Sequence, residues 1–239
     1  MVRRPAALLI AAYGLALAYF LVTPALPDVG GTGDVNTLVS DVCATLLLGG
    51  CVLVLVPARD DVAALVLLVV GAGLVAGAAT VMEPPSVPLA NVARPLFAGA
   101  LGMLLARLLA DPAVVIAVPL FAGGIDAASV VGGTSELLSR SGSRANDFLA
   151  VYLPAWGGGR AGLLGMADLV FLGFFAANAW RFGFRRRVTG AALLAAMPAA
   201  VGIQLAVRSA IPVIPLLGAA LLLPNLDRLA ALARRARVA

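Results

Sequence analysis

Eight apolar runs, each close to the length of a bilayer crossing, follow one another along the sequence and leave few other folds open to it. They cover roughly residues 6–26, 36–57, 62–82, 87–110, 112–133, 161–182, 188–208 and 211–228. A hydrocarbon layer ~30 Å thick takes about 20 helical residues to cross. Backbone exposed to lipid must satisfy its own hydrogen bonds, so each run is expected to be helical. The expected fold class is therefore all-α, a polytopic transmembrane helix bundle of about eight helices. Charge supports this: only 12% of the 239 residues are charged, where a soluble domain carries about 25%. The fourth run is the least continuous, because Asn91, Arg94 and Pro95 interrupt it. The first follows Arg3 and Arg4 as in a signal peptide. It is long, however, and ends in "TPALPDVGG" (23–31) without a clear A-x-A site, so it reads as a membrane anchor. No second domain is expected: 1–239 is one membrane domain, with N-terminal helices in 1–111 and a C-terminal set in 112–239.

The basic residues are all arginine, 17 of them, with no lysine and no histidine. This removes histidine metal ligands, a histidine general base and a lysine Schiff base, and no cofactor or metal is expected. The net charge of +5 comes largely from arginines at the ends of apolar runs, which mark topology rather than nucleic-acid binding. Arg3 and Arg4 precede the first run, Arg181 and Arg185 to Arg187 lie between the sixth and seventh, and Arg234, Arg235 and Arg237 follow the eighth. Eight crossings place all three clusters on one side, so both termini are expected to be cytoplasmic, in the cell membrane. "PDVGGTGD" (27–34), "EPP" (83–85) and the connection 134–160 then fall outside. Cys43 and Cys51, eight residues or about 12 Å apart on a helix, are too distant for a disulfide and read as packing residues.

The long connection carries polar "TSELLSRSGSRAND" (134–147), then apolar, β-prone "FLAVYLPAW" (148–156), then "GGGRAG" (157–162). The glycine run lacks the G-K-[ST] of a phosphate loop and reads as a flexible lead into the sixth helix. "GAGLVAG" (71–77) has the small-residue spacing of a close helix contact. Polar residues inside the runs are few. Asp41 lies near the outer end of the second run, in reach of water or an arginine, and reads as structural. Arg107 and Arg208 lie where they can snorkel. Arg94 is deeper and suited to pairing with an acid. Asn178 and Gln204 are candidate interhelical hydrogen-bond partners.

Asp126, in "VPLFAGGIDAASVVGG" (118–133), and Asp168, in "AGLLGMADLVFLGFFAANAW" (161–180), lie deeper in their runs. An ionisable group inside a membrane segment is a functional candidate by default. The fifth and sixth runs are consecutive and antiparallel. Asp126 is seven residues before the end of one, and Asp168 seven after the start of the other. At ~1.5 Å per residue, both lie about 10 Å below the same face. Gly123, Gly124, Ala127 and Ala128 near one, and Gly165, Ala167 and Gly173 near the other, permit close approach. Two carboxylates that meet in a low dielectric share a proton and form an acid/base pair. That chemistry needs no histidine, lysine, cysteine or metal. Spacing alone leaves a proton or ion path and a structural role, as ion-pair partners or helix caps, open.

The order of motifs resembles the presenilin and signal peptide peptidase family of intramembrane aspartyl proteases. "GIDAASV" (124–130) stands at that family's Y-D motif, "GMAD" (165–168) at G-x-G-D, and "IPVIPLLG" (211–218) at P-A-L-P. The resemblance covers about 112–228 and implies a presenilin-like bundle with one N-terminal helix fewer. It implies that Asp126 and Asp168 are catalytic and that Pro212, Val213, Ile214 and Pro215 shape the active site and bind substrate. It further implies that Gly165 lets backbones approach Asp168 and that "FLAVYLPAW" pairs with an unwound substrate. The partners implied are transmembrane peptide or protein segments and the bilayer. The chain departs from the pattern at Ile125 for tyrosine, at Ala167 for the second glycine, and at P-V-I-P for P-A-L-P. A G-x-G-D motif also occurs in type IV prepilin peptidases, but the basic segment that accompanies it there is not found after Asp126. With the orientation above, the resemblance is to the signal-peptide-peptidase sense, whose substrates have cytoplasmic N-termini. A proton- or ion-coupled transporter using the same carboxylates, and an inactive presenilin-like membrane protein, are the alternative readings.

Overall fold

The computed structural model describes residues 3–29, 33–57, 61–81, 88–132, 149–158 and 160–236. It is an all-α bundle carrying one two-stranded hairpin. The helices are α1 (Arg3–Val22), α2 (Gly33–Leu55), α3 (Asp61–Val81), α4 (Pro88–Leu108) and α5 (Val114–Val131). The hairpin β1 (Ala150–Pro154) and β2 (Arg160–Gly165) follows, then α6 (Met166–Arg181), α7 (Arg186–Val207), α8 (Val213–Leu222) and α9 (Leu226–Ala236). A 3-10 turn, Leu223–Asn225, joins α8 to α9. Six of these segments are long and apolar enough to cross a membrane: Ala6–Ala25, Gly33–Leu55, Pro88–Leu108, Val114–Val131, Arg186–Val207 and Val213–Leu232. The polar segments 134–147 and 83–85 lie outside the described residues.

The sixth expected run is corrected by the fold. Residues 160–165 form β2, and the helix begins only at Met166. Gly157 and Gly158 take φ of +81° and +98°, so the described residues of "GGGRAG" belong to the turn and return strand of a hairpin, not to a lead into a helix. A left-handed backbone is open to glycine at little steric cost. The interrupted fourth run, by contrast, is one continuous helix with Asn91, Arg94 and Pro95 all buried in it.

α4 and α6 form the centre. α6 packs on α4, α2, α7 and α8, while α4 also takes α3 and α1. Glycines set the α4–α6 distance: a Cβ at Gly102 would stand 2.1 Å from the Val170 carbonyl oxygen, and one at Gly173 2.8 Å from that of Gly99. Around this contact Leu48, Val52, Leu169, Leu172, Phe175 and Met197 are buried. Within "GAGLVAG", Gly71 makes the expected close contact, its missing Cβ lying 2.7 Å from the Phe97 nitrogen, whereas Gly73 and Gly77 face open space. Cys43 and Cys51 are both free.

The α8–α9 corner is pinned by Asn225, which is fully buried. Its Nδ2 donates to Thr189 Oγ1 at 2.8 Å and to the Leu221 carbonyl at 2.7 Å, and its Oδ1 accepts from the Arg185 amide at 3.0 Å. Asn225→Leu strands the Arg185 amide and the Thr189 hydroxyl. The expected loss is about 1–3 kcal/mol for an orphaned buried group, read as a lower midpoint of thermal unfolding in detergent.

Candidate functional site

α5 reaches the bundle through α8. The seam is reciprocal between prolines and glycines. Pro119 of α5 lies against Gly218, where a Cβ would stand 3.1 Å from the Pro119 Cβ, and Pro215 of α8 lies against Gly123, at 3.4 Å. This seam delivers Asp126 to the start of α8. Pro212 is the N-cap of α8 and offers no capping side chain. Asp126 supplies what is missing: the Ile214 amide donates to its Oδ2 at 3.0 Å, and the Val213 amide stands beside it. Free amides at a helix start carry partial positive charge and favour an anion there.

Asp168 lies in the first turn of α6. Gly165, the N-cap, is extended at φ −65° and ψ 136°, and its backbone faces the Asp168 carboxylate. A Cβ on Gly165 would stand 3.1 Å from Asp168 Oδ2. Glycine therefore makes room for the carboxylate itself. Both aspartates are half-buried, and Asp126 is close enough to act electrostatically on Asp168. Among the described residues no three metal-ligating side chains converge.

The fold thus brings the two expected carboxylates within electrostatic reach, by a different route from the one their spacing suggested. Asp168 is in the first turn of its helix rather than seven residues inside it. Gly123 packs on α8, and Gly173 on α4, so neither glues α5 to α6. α8 packs on both α5 and α6 and bridges them. Of the expected proline loop, only Pro212 precedes the helix; Val213, Ile214 and Pro215 are its first turn, where a proline lacks no needed donor. Val213 and Ile214 touch Asp126 through their backbones, and Pro215 positions α5.

The hairpin beside Asp168 is antiparallel, with Ala150 opposite Gly165, Val151 opposite Leu164 and Tyr152 opposite Leu163. Val151, Leu153 and Leu164 face the core. The outer edge of β1 is closed by helix side chains. Asn91 takes both backbone groups of Tyr152, donating to its carbonyl at 2.9 Å and accepting from its amide at 3.3 Å. Arg94 donates to the Asn91 Oδ1, Ser40 Oγ donates to the Pro154 carbonyl, and Asn36 Nδ2 donates to that of Trp156 at 2.9 Å. The polar residues that interrupt the fourth run are therefore a hairpin clamp. The sequence did not reveal this role for Asn91 and Ser40, although Asn91 and Arg94, three apart in one apolar helix, were a signal for it. Asn91→Leu is expected to weaken hairpin docking by about 1–3 kcal/mol, seen as faster hydrogen exchange at the Tyr152 amide.

Because Tyr152 turns its amide and carbonyl away from β2, its partner Leu163 turns its own away from β1. Leu163 is exposed, and no third strand joins the sheet among the described residues. Among the described residues, the strand edge that no side chain or further strand closes is therefore that of β2 rather than that of β1 in "FLAVYLPAW". Other expected polar roles also change. Asp41 is only 5% exposed and lies under the hairpin, where a Cβ on Gly162 would stand 2.5 Å from its Oδ2. Asn178 bonds within its own helix, to the Phe174 carbonyl at 3.0 Å. Gln204 is exposed and lines a surface hollow with Asp34 and Arg208. Arg208 ends α7 in the left-handed region and pairs with Asp34 at 3.2 Å.

Compared with protein-family models, with characterised proteins and with solved structures, the chain matches none.

Proposed function

We propose that the chain is a multi-pass membrane protein that hydrolyses peptide bonds within transmembrane segments, with Asp126 and Asp168 as its catalytic pair. The observation that supports this reading is the position of these two carboxylates at the starts of α8 and α6, in electrostatic reach of one another and beside the hairpin. Six helices of crossing length support the membrane location. So do the apolar side chains turned outward on α1, α3 and α5, among them Leu15, Leu65, Val69 and Phe121.

The pair carries one proton between two carboxyls, and its titration belongs to both together. The charged carboxylate takes a proton from water as the water oxygen attacks the peptide carbonyl carbon. The neutral carboxyl donates its proton to the carbonyl oxygen, giving a gem-diol. The diol then collapses: a proton goes to the amide nitrogen, the C–N bond breaks, and acid and amine products leave. A helical substrate hides its carbonyls in its own hydrogen bonds. The edge of β2 offers the unwound segment replacement partners, and that strand runs through Gly165 into Asp168. With the arginine-rich end in the cytoplasm, the substrates are segments with cytoplasmic N-termini. A C-terminal tag found outside the cell would overturn that orientation.

The test is incubation of the purified full chain, in detergent or bilayer, with a reporter transmembrane peptide. Cleavage fragments support the reading. Proton or cation flux from proteoliposomes without fragments favours a carboxylate relay instead.

A further inference from the structure

We propose that the end of the bundle formed by the α6–α7 corner and α9 binds the headgroups of anionic phospholipids. The proposal rests on the membrane location but not on proteolysis. Between residues 181–187 and 226–236 the chain has one acid, Asp227, against Arg181, Arg185, Arg186, Arg187, Arg228 and Arg234 among others. The fold uses only part of this charge. Arg181 donates to the Ala106 and Arg107 carbonyls at the end of α4. Arg185 donates to the Pro224 carbonyl and pairs with Asp227 at 3.0 Å, which brings the start of α9 beside the start of α7. Arg228 shares the same acid at 3.9 Å. Arg187 and Arg234 are exposed and meet no acid among the described residues.

Two further features fit a lipid headgroup rather than a free ion. α9 is amphipathic: Leu229 is buried and Leu232 packs on the core, while Arg228 and Arg234 face outward. Its apolar face continues the crossing segment Val213–Leu232, so its arginines stand where that segment leaves the membrane. Arg186 also stacks on the Trp180 ring, 4.4 Å from its centroid, and donates to the Trp180 carbonyl. Tryptophan at a helix end marks the headgroup level, so the spare arginines stand at the depth of lipid phosphates. Guanidinium forks match phosphate oxygens, and anionic lipids concentrate in the cytoplasmic leaflet.

The full-length Trp156→Phe protein, whose remaining tryptophan is Trp180, is titrated in uncharged detergent micelles with phosphatidylglycerol, phosphatidylcholine or inorganic phosphate. The expected result is a saturable change in Trp180 emission with phosphatidylglycerol alone. Its midpoint rises about fivefold for each arginine lost in Arg187→Gln and Arg234→Gln, and it rises again at high salt. Both side chains are exposed, so the variants keep the fold. An equal response to phosphatidylcholine, an equal response to phosphate, no response to phosphatidylglycerol, or a double variant that titrates unchanged would each overturn the proposal. No cleavage is read, so this outcome is independent of the protease test.

Discussion

Asp126→Asn and Asp168→Asn are each expected to abolish cleavage of a transmembrane reporter while leaving thermal stability close to that of the unchanged protein. The separation follows from the two roles proposed for the carboxylates. As helix partners, Asp126 accepts the Ile214 amide at the start of α8, and Asp168 lies against the backbone of Gly165 at the start of α6. An asparagine side-chain oxygen accepts such bonds nearly as well as aspartate does at helix starts. As an acid/base pair, neither position tolerates the change, because an amide neither takes a proton from water nor returns one to an amine. Removing general acid or base catalysis costs about 10²–10⁴-fold in rate. Single-turnover cleavage beside a thermal melt reads both quantities. If fragments persist at the original rate in either variant, the catalytic pair is wrong and capping alone explains these residues.

Gly102→Ala is the second large effect, and it acts on the fold. The added Cβ would stand 2.1 Å from the Val170 carbonyl oxygen and 2.7 Å from the Phe174 nitrogen. Both are backbone atoms of α6, so no rotamer change relieves the clash and the two helices must part. Overpacking a tight core costs typically ~1–3 kcal/mol, and a contact with rigid backbone belongs at the upper end. Since α6 begins at the turn holding Asp168, separating α4 from α6 also displaces the site. Gly73→Ala is the control. Its Cβ meets nothing within 4 Å, and replacing a mid-helix glycine by alanine stabilises by roughly 0.5–1 kcal/mol. Unfolding midpoints in detergent should therefore move in opposite directions.

Much of the architecture was legible before any coordinates. Apolar runs of crossing length located the helices, because hydropathy and backbone self-satisfaction are properties of each run alone. Asp126 and Asp168 stood out for the same reason: a carboxylate in an apolar run is visible without knowing its neighbours. The hairpin was half legible. The β-prone "FLAVYLPAW" contains β1, but "RAGLLG" (160–165) merges by hydropathy with the helix after it and is a strand only because β1 lies opposite. The open edge was assigned to β1 from its sequence, yet Asn91 and Ser40 occupy that edge from helices far away in the chain.

Apolar helices, and two carboxylates deep in the fifth and sixth apolar runs, can be read from the residues alone. Hydrophobic run length and the scarcity of charge are local sums that no tertiary contact alters. Tertiary contacts turn Asp126 to the start of α8, seat Asp168 against Gly165, and set the two in electrostatic reach of one another. Which way a helical side chain points depends on the rotation of its helix about its own axis. That rotation is set by contacts such as Gly102 on Val170, Pro119 on Gly218 and Pro215 on Gly123, between residues distant in sequence, and nothing within a single run fixes it.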